Sequence, residues 1–136
     1  MNKTTPTLTA RQLRRRRGQE ELAQEMKELL EQHSEADCLH WKGSRIDLME
    51  ALYYLFETNT LYNDSGNPVT FAELVRRACR LFHVPEPANP YEQARRGQQR
   101  KGIRQQNLLD RYCYLRDHVK ENCSTLKSTY IDSCKK

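Results

Sequence analysis

The chain predicts a mainly α-helical fold: a small helical bundle, helix-turn-helix-like or winged-helix-like, with a long N-terminal helix. Three observations carry this expectation. Capping pairs stand at Thr9 with Gln12, Ser44 with Asp47 and Thr70 with Glu73, where a hydroxyl and a side chain three residues on can satisfy orphan backbone N–H groups. Apolar residues behind each start recur at helical spacing. Turn-forming runs at Asn63 to Pro68 and at Pro85 to Pro90 separate the segments. At 136 residues and 37% apolar composition there is room for one domain with a modest core.

The first eight residues are polar and read as a leader, and a long helix then runs from Thr9 to near His33. Leu22, Met26, Leu29 and Leu30 form its stripe. Its charge is split: Arg14 to Arg17 form a basic block, and Glu20, Glu21, Glu25, Glu28, Glu31 and Glu35 follow. Such an arm packs on the domain, pairs with a second copy or attaches to an upstream domain, and a homodimer through this helix is one expectation. Residues 1–38 are therefore read as leader and charged helix.

Residues 39–122 are read as the helical domain. Leu39 to Trp41 is a short extended piece, and its pairing near Val69 would make the winged version. Trp41 is large enough to seal the end of a small core. From Ser44 a helix runs to near Thr58, with Leu48, Leu52, Leu55, Met49 and Phe56 on one face. Asp47, Glu50, Tyr54 and Glu57 repeat on the other, so a one-sided core helix is expected. After Thr70, the residues Phe71, Leu74, Val75, Ala78 and Phe82 mark a buried face and leave Arg76, Arg77 and Arg80 outward. Asn89 before Pro90 starts a short third segment, weakened by Gly97 and Gly102. Apolar spacing resumes from about Arg104 as Leu108, Tyr112, Leu115 and Val119, ending near Asn122. Residues 123–136 show no clear period and read as a polar tail.

The net charge of +5 is concentrated. Between Arg76 and Arg104 eight basic residues (Arg76, Arg77, Arg80, Arg95, Arg96, Arg100, Lys101, Arg104) face two acidic ones (Glu86, Glu92), and 8 minus 2 leaves +6 in that segment alone. A clustered positive field favours polyanions, nucleic acid first. Five cysteines form an odd set without a C-x-x-C pair, and no secretory apolar segment opens the chain, which implies reduced thiols and a cytoplasmic protein. His33, Cys38 and His40 fit no zinc spacing, so no metal and no cofactor are expected. No apolar run approaches membrane-spanning length, and no membrane partner is expected.

The stretch WKGSRIDLMEALYYL, from Trp41 to Leu55, fits the pattern W-x-G-S-K/R-x-D-L-x-E-x-x-Y-x-L at Trp41, Gly43, Ser44, Asp47, Leu48, Glu50, Tyr53 and Leu55. In these residues the chain resembles the C-terminal domain of RteC proteins, regulators of excision and transfer of conjugative transposons in gut Bacteroidetes. The likeness continues through a Phe- and Leu-rich helix, Tyr91, a basic stretch with Arg100, Lys101 and Arg104, and Leu108, Leu109 and Asp110, covering about residues 39 to 120. Full regulators of this type carry a longer N-terminal domain. The resemblance implies a DNA-binding transcriptional regulator encoded within or acting on a mobile element, with Trp41, Gly43, Ser44 and Asp47 as structural positions.

The residue types also fit double-stranded DNA. Arginine and lysine neutralise phosphates, arginine reads guanine, and glutamine reads adenine. Arg76, Arg77 and Arg80 are expected on the backbone, with Arg95, Arg96, Gln98, Gln99, Arg100, Lys101 and Arg104 nearest the groove. No phosphate cradle, nucleophile elbow or metalloprotease helix is present, so no catalytic residue is assigned and no enzyme is expected. The alternative is a protein-interaction or dimerisation module in which the basic segment meets an acidic protein surface.

Overall fold

The computed structural model describes residues 9–100, 106–118 and 125–133. It is mainly helical: α1 (Ala10–Gln32), a 3-10 turn (Glu35–Asp37), β1 (Leu39–Trp41), α2 (Arg45–Thr58), α3 (Phe71–Phe82), α4 (Pro90–Gln98), α5 (Leu108–His118), α6 (Thr125–Tyr130) and β2 (Ile131–Ser133). The three expected caps form, with Thr9, Ser44 and Thr70 each accepting the backbone N–H three residues on at 3.1 Å, and Ser44 with Asp47 makes a full capping box like the two expected at Thr9 and Thr70. Asn89 caps α4 by accepting from Glu92 N at 3.2 Å, with Pro90 at the first helical position, where its missing N–H costs nothing.

The central element is α2, which packs against α1, α3, α4 and α5. This corrects the one-sided expectation. Leu48, Met49, Leu52 and Leu55 are buried as expected, but so are Asp47, Glu50 and Tyr54. Because α4 and α5 close over the second face, its polar groups lose water and must find protein partners. Gly97 permits this closure: a Cβ there would stand 2.9 Å from Glu50 Oε1 and 3.1 Å from Ile46 Cγ2.

Of the three fates open to the N-terminal helix, packing on its own domain is the one observed. Leu22, Met26, Leu29 and Leu30 all join the common core, so the stripe proposed for a homodimer is consumed within the chain. Gly18 lets α1 cross α5 closely, since a Cβ would come within 2.4 Å of Cys113 Sγ.

The C-terminal stretch read as an aperiodic tail contributes α6 and β2. Leu126 and Tyr130 are buried, and β2 pairs antiparallel with β1 in the register Leu39 with Ser133, His40 with Asp132 and Trp41 with Ile131. The partner of β1 is therefore not near Val69, whose N–H instead donates to Leu61 O at 3.0 Å across the hairpin between α2 and α3. Trp41 is the expected core anchor. Its ring stacks on Tyr130 at 5.4 Å and its Nε1 donates to Ser44 O at 2.9 Å, joining the sheet to the start of α2. Gly43 is the close approach in that joint, with Trp41 Nε1 3.0 Å from where a Cβ would stand.

The last helix of the domain begins at Leu108, later than the expected Arg104, because Asn107 caps it by accepting from Asp110 N at 2.8 Å. Its expected end near Val119 to Asn122 lies outside the described residues, as does the leader. The thiol expectation needs correction: Cys38 is disulfide-bonded, while Cys79 and Cys113 are free. Burial pushes the Cys79 thiol up to about 11, so it stays protonated and inert at neutral pH. Among the described residues no helix is long and apolar enough to cross a membrane.

Candidate nucleic-acid interface

The amphipathic spacing of α3 places Phe71, Leu74, Val75, Ala78 and Phe82 in the core and turns Arg76 and Arg80 to solvent, with Arg77 half-buried. These three arginines line a cleft of about 530 Å³ with Tyr62, Asn63, Asp64, Val69 and Glu73. Arg77 is partly committed, its Nη2 donating to Leu30 O at 3.4 Å at the end of α1, where a cation meets the negative end of the helix dipole. The N–H of Thr70, received at 2.9 Å, and the Asn63 amide hold the Glu73 carboxyl below its usual range. Glu73 is thus a charged wall of the cleft.

On α4 the small residues Ala94 and Gly97 face the core. Arg95 and Arg96 stand 60% and 64% exposed, each paired with Glu92 one turn back, Arg96 Nε at 3.6 Å. Gln99 is exposed, whereas Gln98 is half-buried and lines a smaller cleft of about 240 Å³ with Tyr53, Asn89, Tyr91 and Arg95. The α3 and α4 clefts share no lining residue, so the segment that is continuous in sequence becomes two surface regions.

Arg100 has a different environment. It is 20% exposed, and its Nη1 donates to Asp47 Oδ1 at 3.1 Å. The same oxygen accepts from Arg111 Nη2 at 2.6 Å, while Asp47 Oδ2 accepts from Ser44 N at 3.4 Å. Asp47, assigned a structural position, is thereby the hub of two ion pairs, and Arg100 is an internal partner. Lys101 and Arg104 lie outside the described residues.

One turn along α2, Glu50 accepts from Leu108 N at 3.0 Å, Leu109 N at 3.1 Å and Tyr54 Oη at 2.7 Å. Its carboxylate sits on the N-terminus of α5, where orphan N–H groups and the helix dipole favour negative charge. Burial nevertheless lifts the Glu50 carboxyl above its ordinary range, against the pull of these three donors and with a push from Asp47. Glu25 sits in a like position at the start of α6, accepting from Leu126 N at 2.8 Å and from Tyr112 Oη. Sequence reasoning missed Glu50, Glu25 and Arg111 as partners of later helices. The signal available was α2 itself, where Ile46, Leu48, Met49, Ala51, Leu52, Tyr53, Tyr54, Leu55 and Phe56 leave no wide polar face, the pattern of a helix buried all round.

The basic block of α1 is partly neutralised from α5. Arg15 pairs with Asp110, Arg14 Nε lies 3.9 Å from Asp117, and Arg116 bridges Glu21 at 2.9 Å and Asp117 at 3.2 Å. Arg16 and Arg17 remain exposed. His33 is turned to Asp37 at 3.1 Å, and the His40 ring lies 5.0 Å from that of His83. No family model, curated protein or solved structure matches the chain, so the likeness to RteC rests on the residues quoted for it.

Proposed function

We propose that the chain is a DNA-binding regulatory domain of RteC type, cytoplasmic, that acts on transcription of excision or transfer genes of a mobile element. The observation that supports this best is α4. It is seated on α2 by Ala94 and Gly97, holds Arg95, Arg96 and Gln99 outward, and leads directly into a sequence carrying Lys101 and Arg104. A short helix with cations and amides on its outer face, backed by a packed helix, has the chemistry to neutralise phosphates and read base edges. Arg76 and Arg80 on α3 add a second set of exposed cations for the backbone.

Fluorescence anisotropy with duplex from the gene's own neighbourhood tests the reading. Affinity should fall linearly with salt on logarithmic axes, and Arg95→Ala with Arg96→Ala should reduce the slope by about two. Absence of duplex affinity at moderate salt overturns the reading in favour of a protein-interaction module. The compartment is tested separately. Alkylation of Cys38 in intact cells marks a reducing environment, whereas protection by its disulfide places the chain where disulfides persist.

A further inference from the structure

We propose that the smaller cleft beside α4 holds an unpaired adenine base together with its phosphate, the ring resting on Tyr91 and the phosphate on Arg95. This goes beyond duplex binding and stands independently of it. On α4 the residues Tyr91, Arg95 and Gln98 follow one another at one-turn spacing, so one helix face presents an aromatic ring, a cation and an amide to the same cleft of about 240 Å³. Ala94, 2% exposed, lines it with nothing larger than a methyl group.

Tyr91 differs from the other exposed tyrosines in what stands behind it. Its ring centroid lies 4.6 Å from that of Phe71, 6.3 Å from Tyr53 and 6.5 Å from Phe56, the last two edge to face, yet the residue remains 53% exposed. Tyr62 and Tyr114 lack such backing: among the described residues Tyr114 stacks on His118 alone, and Tyr62 meets no ring. A ring pinned by three others and open to solvent can stack a base with little freedom of its own to lose. The cleft is smaller than the roughly 300–1,000 Å³ of sites that enclose a drug-sized molecule, and it suits one planar ring system. Its polar groups match a nucleotide. Glu92 pairs with both Arg95 and Arg96, and one carboxylate against two guanidiniums leaves a positive charge for a phosphate. The Gln98 side chain makes no hydrogen bond among the described residues, where only its backbone oxygen accepts from Asn107, and an amide offers the donor and acceptor that adenine N7 and N6 require. In a duplex the base is stacked and out of reach, so the ligand is a free nucleotide or an unpaired base in a strand.

Equilibrium dialysis of the full chain against adenosine monophosphate (AMP), ribose 5-phosphate and adenosine tests the site. AMP should bind saturably, with ribose 5-phosphate at least about tenfold weaker because it lacks the ring. Tyr91→Ala should weaken AMP by about 5- to 150-fold, the span that loss of one base–aromatic stack gives, whereas Tyr91→Phe should stay within about twofold of the parent. Arg95→Ala should remove the advantage of AMP over adenosine, and this exposed position carries the test if Tyr91→Ala does not fold. Competition with a short oligo(dA) single strand identifies the source. Displacement of AMP places the base in a strand, no displacement makes the free nucleotide the ligand, and both uphold the site. Equal binding of AMP and ribose 5-phosphate reduces it to an anion on Arg95 and overturns the proposal. So does undiminished AMP affinity in Tyr91→Ala, or a parent that binds no AMP. Duplex affinity is read separately, so failure here leaves the DNA reading standing.

Discussion

In α2 the polar residues Asp47, Glu50 and Tyr54 are 2%, 0% and 5% exposed, whereas on α3 the polar face leaves Arg76 and Arg80 in solvent. The two helices start alike, with a capping box and an acidic residue in the first turn, and both carry an apolar stripe. Their polar faces meet different surroundings. Over α2 the helices α4 and α5 exclude water, so each polar group is retained only with partners: Arg100 and Arg111 on Asp47, and the start of α5 on Glu50. Over α3 lies an open cleft, and the arginines keep their hydration and their availability to an anion. The same amphipathic pattern thus yields a polar stitch in one helix and a charged surface in the other.

The sharpest way to break this contrast is Glu50→Ala. It leaves the N–H groups of Leu108 and Leu109 and the Tyr54 hydroxyl without their acceptor at a fully buried site. With each orphan worth about 1–3 kcal/mol, the unfolding midpoint in urea should report a loss of roughly 3 kcal/mol or more. A loss under about 1 kcal/mol would show that water reaches this face.

A smaller effect compares the caps. Ser44→Ala and Thr70→Ala should each cost about 0.5–2 kcal/mol, and Ser44→Ala should be the more damaging. Its cap orients Asp47, which also holds Arg100 and Arg111, while the Glu73 opposite Thr70 holds only the nearby hairpin through Asn63. Equal thermal shifts for the two variants would separate the cap from the stitch.

The pH dependence follows from Glu50. Its folded-state pKa is raised, so the native state binds the proton more tightly than the unfolded chain does. Parent stability should therefore gain on Glu50→Gln as pH falls through the raised value, and the gain should level off below the ordinary glutamate range. Parallel midpoint-against-pH curves would contradict the sign.

Smallest in stability is the double change Arg76→Ala with Arg80→Ala, expected to lie within about 0.5 kcal/mol because both side chains are exposed. Under the DNA reading the same variant should lower the salt slope by about two. A loss of stability without a change in slope would turn this surface into another structural face.

The helix starts at Ser44 and Thr70 and the anchor at Trp41 were legible because a cap, its partner three residues on and the stripe behind it are all local. The partners on the second face of α2 were not: its near-continuous apolar run marks a helix buried all round, but Asp47 and Glu50 carry no local sign of which segment covers them. The candidate surface divided in the same manner. Arg76, Arg80, Arg95 and Arg96 stand outward as their spacing implied, but Arg100, identical in type and only four residues beyond Arg96, turns inward to Asp47.

What the residues determined alone is therefore whatever closes within a turn or two: the capping boxes, the bounds of α1, α2 and α3, and the concentration of positive charge. Tertiary structure decided the contacts that span the chain. Glu50 meets Leu108 across 58 residues, Arg111 meets Asp47 across 64, Glu25 meets Leu126 across 101, and β1 finds its partner at Ile131–Ser133. The physical reason is that local pattern encodes which side chains prefer water, while packing decides which of them can have it. A carboxylate denied water takes whatever donor the fold brings to it.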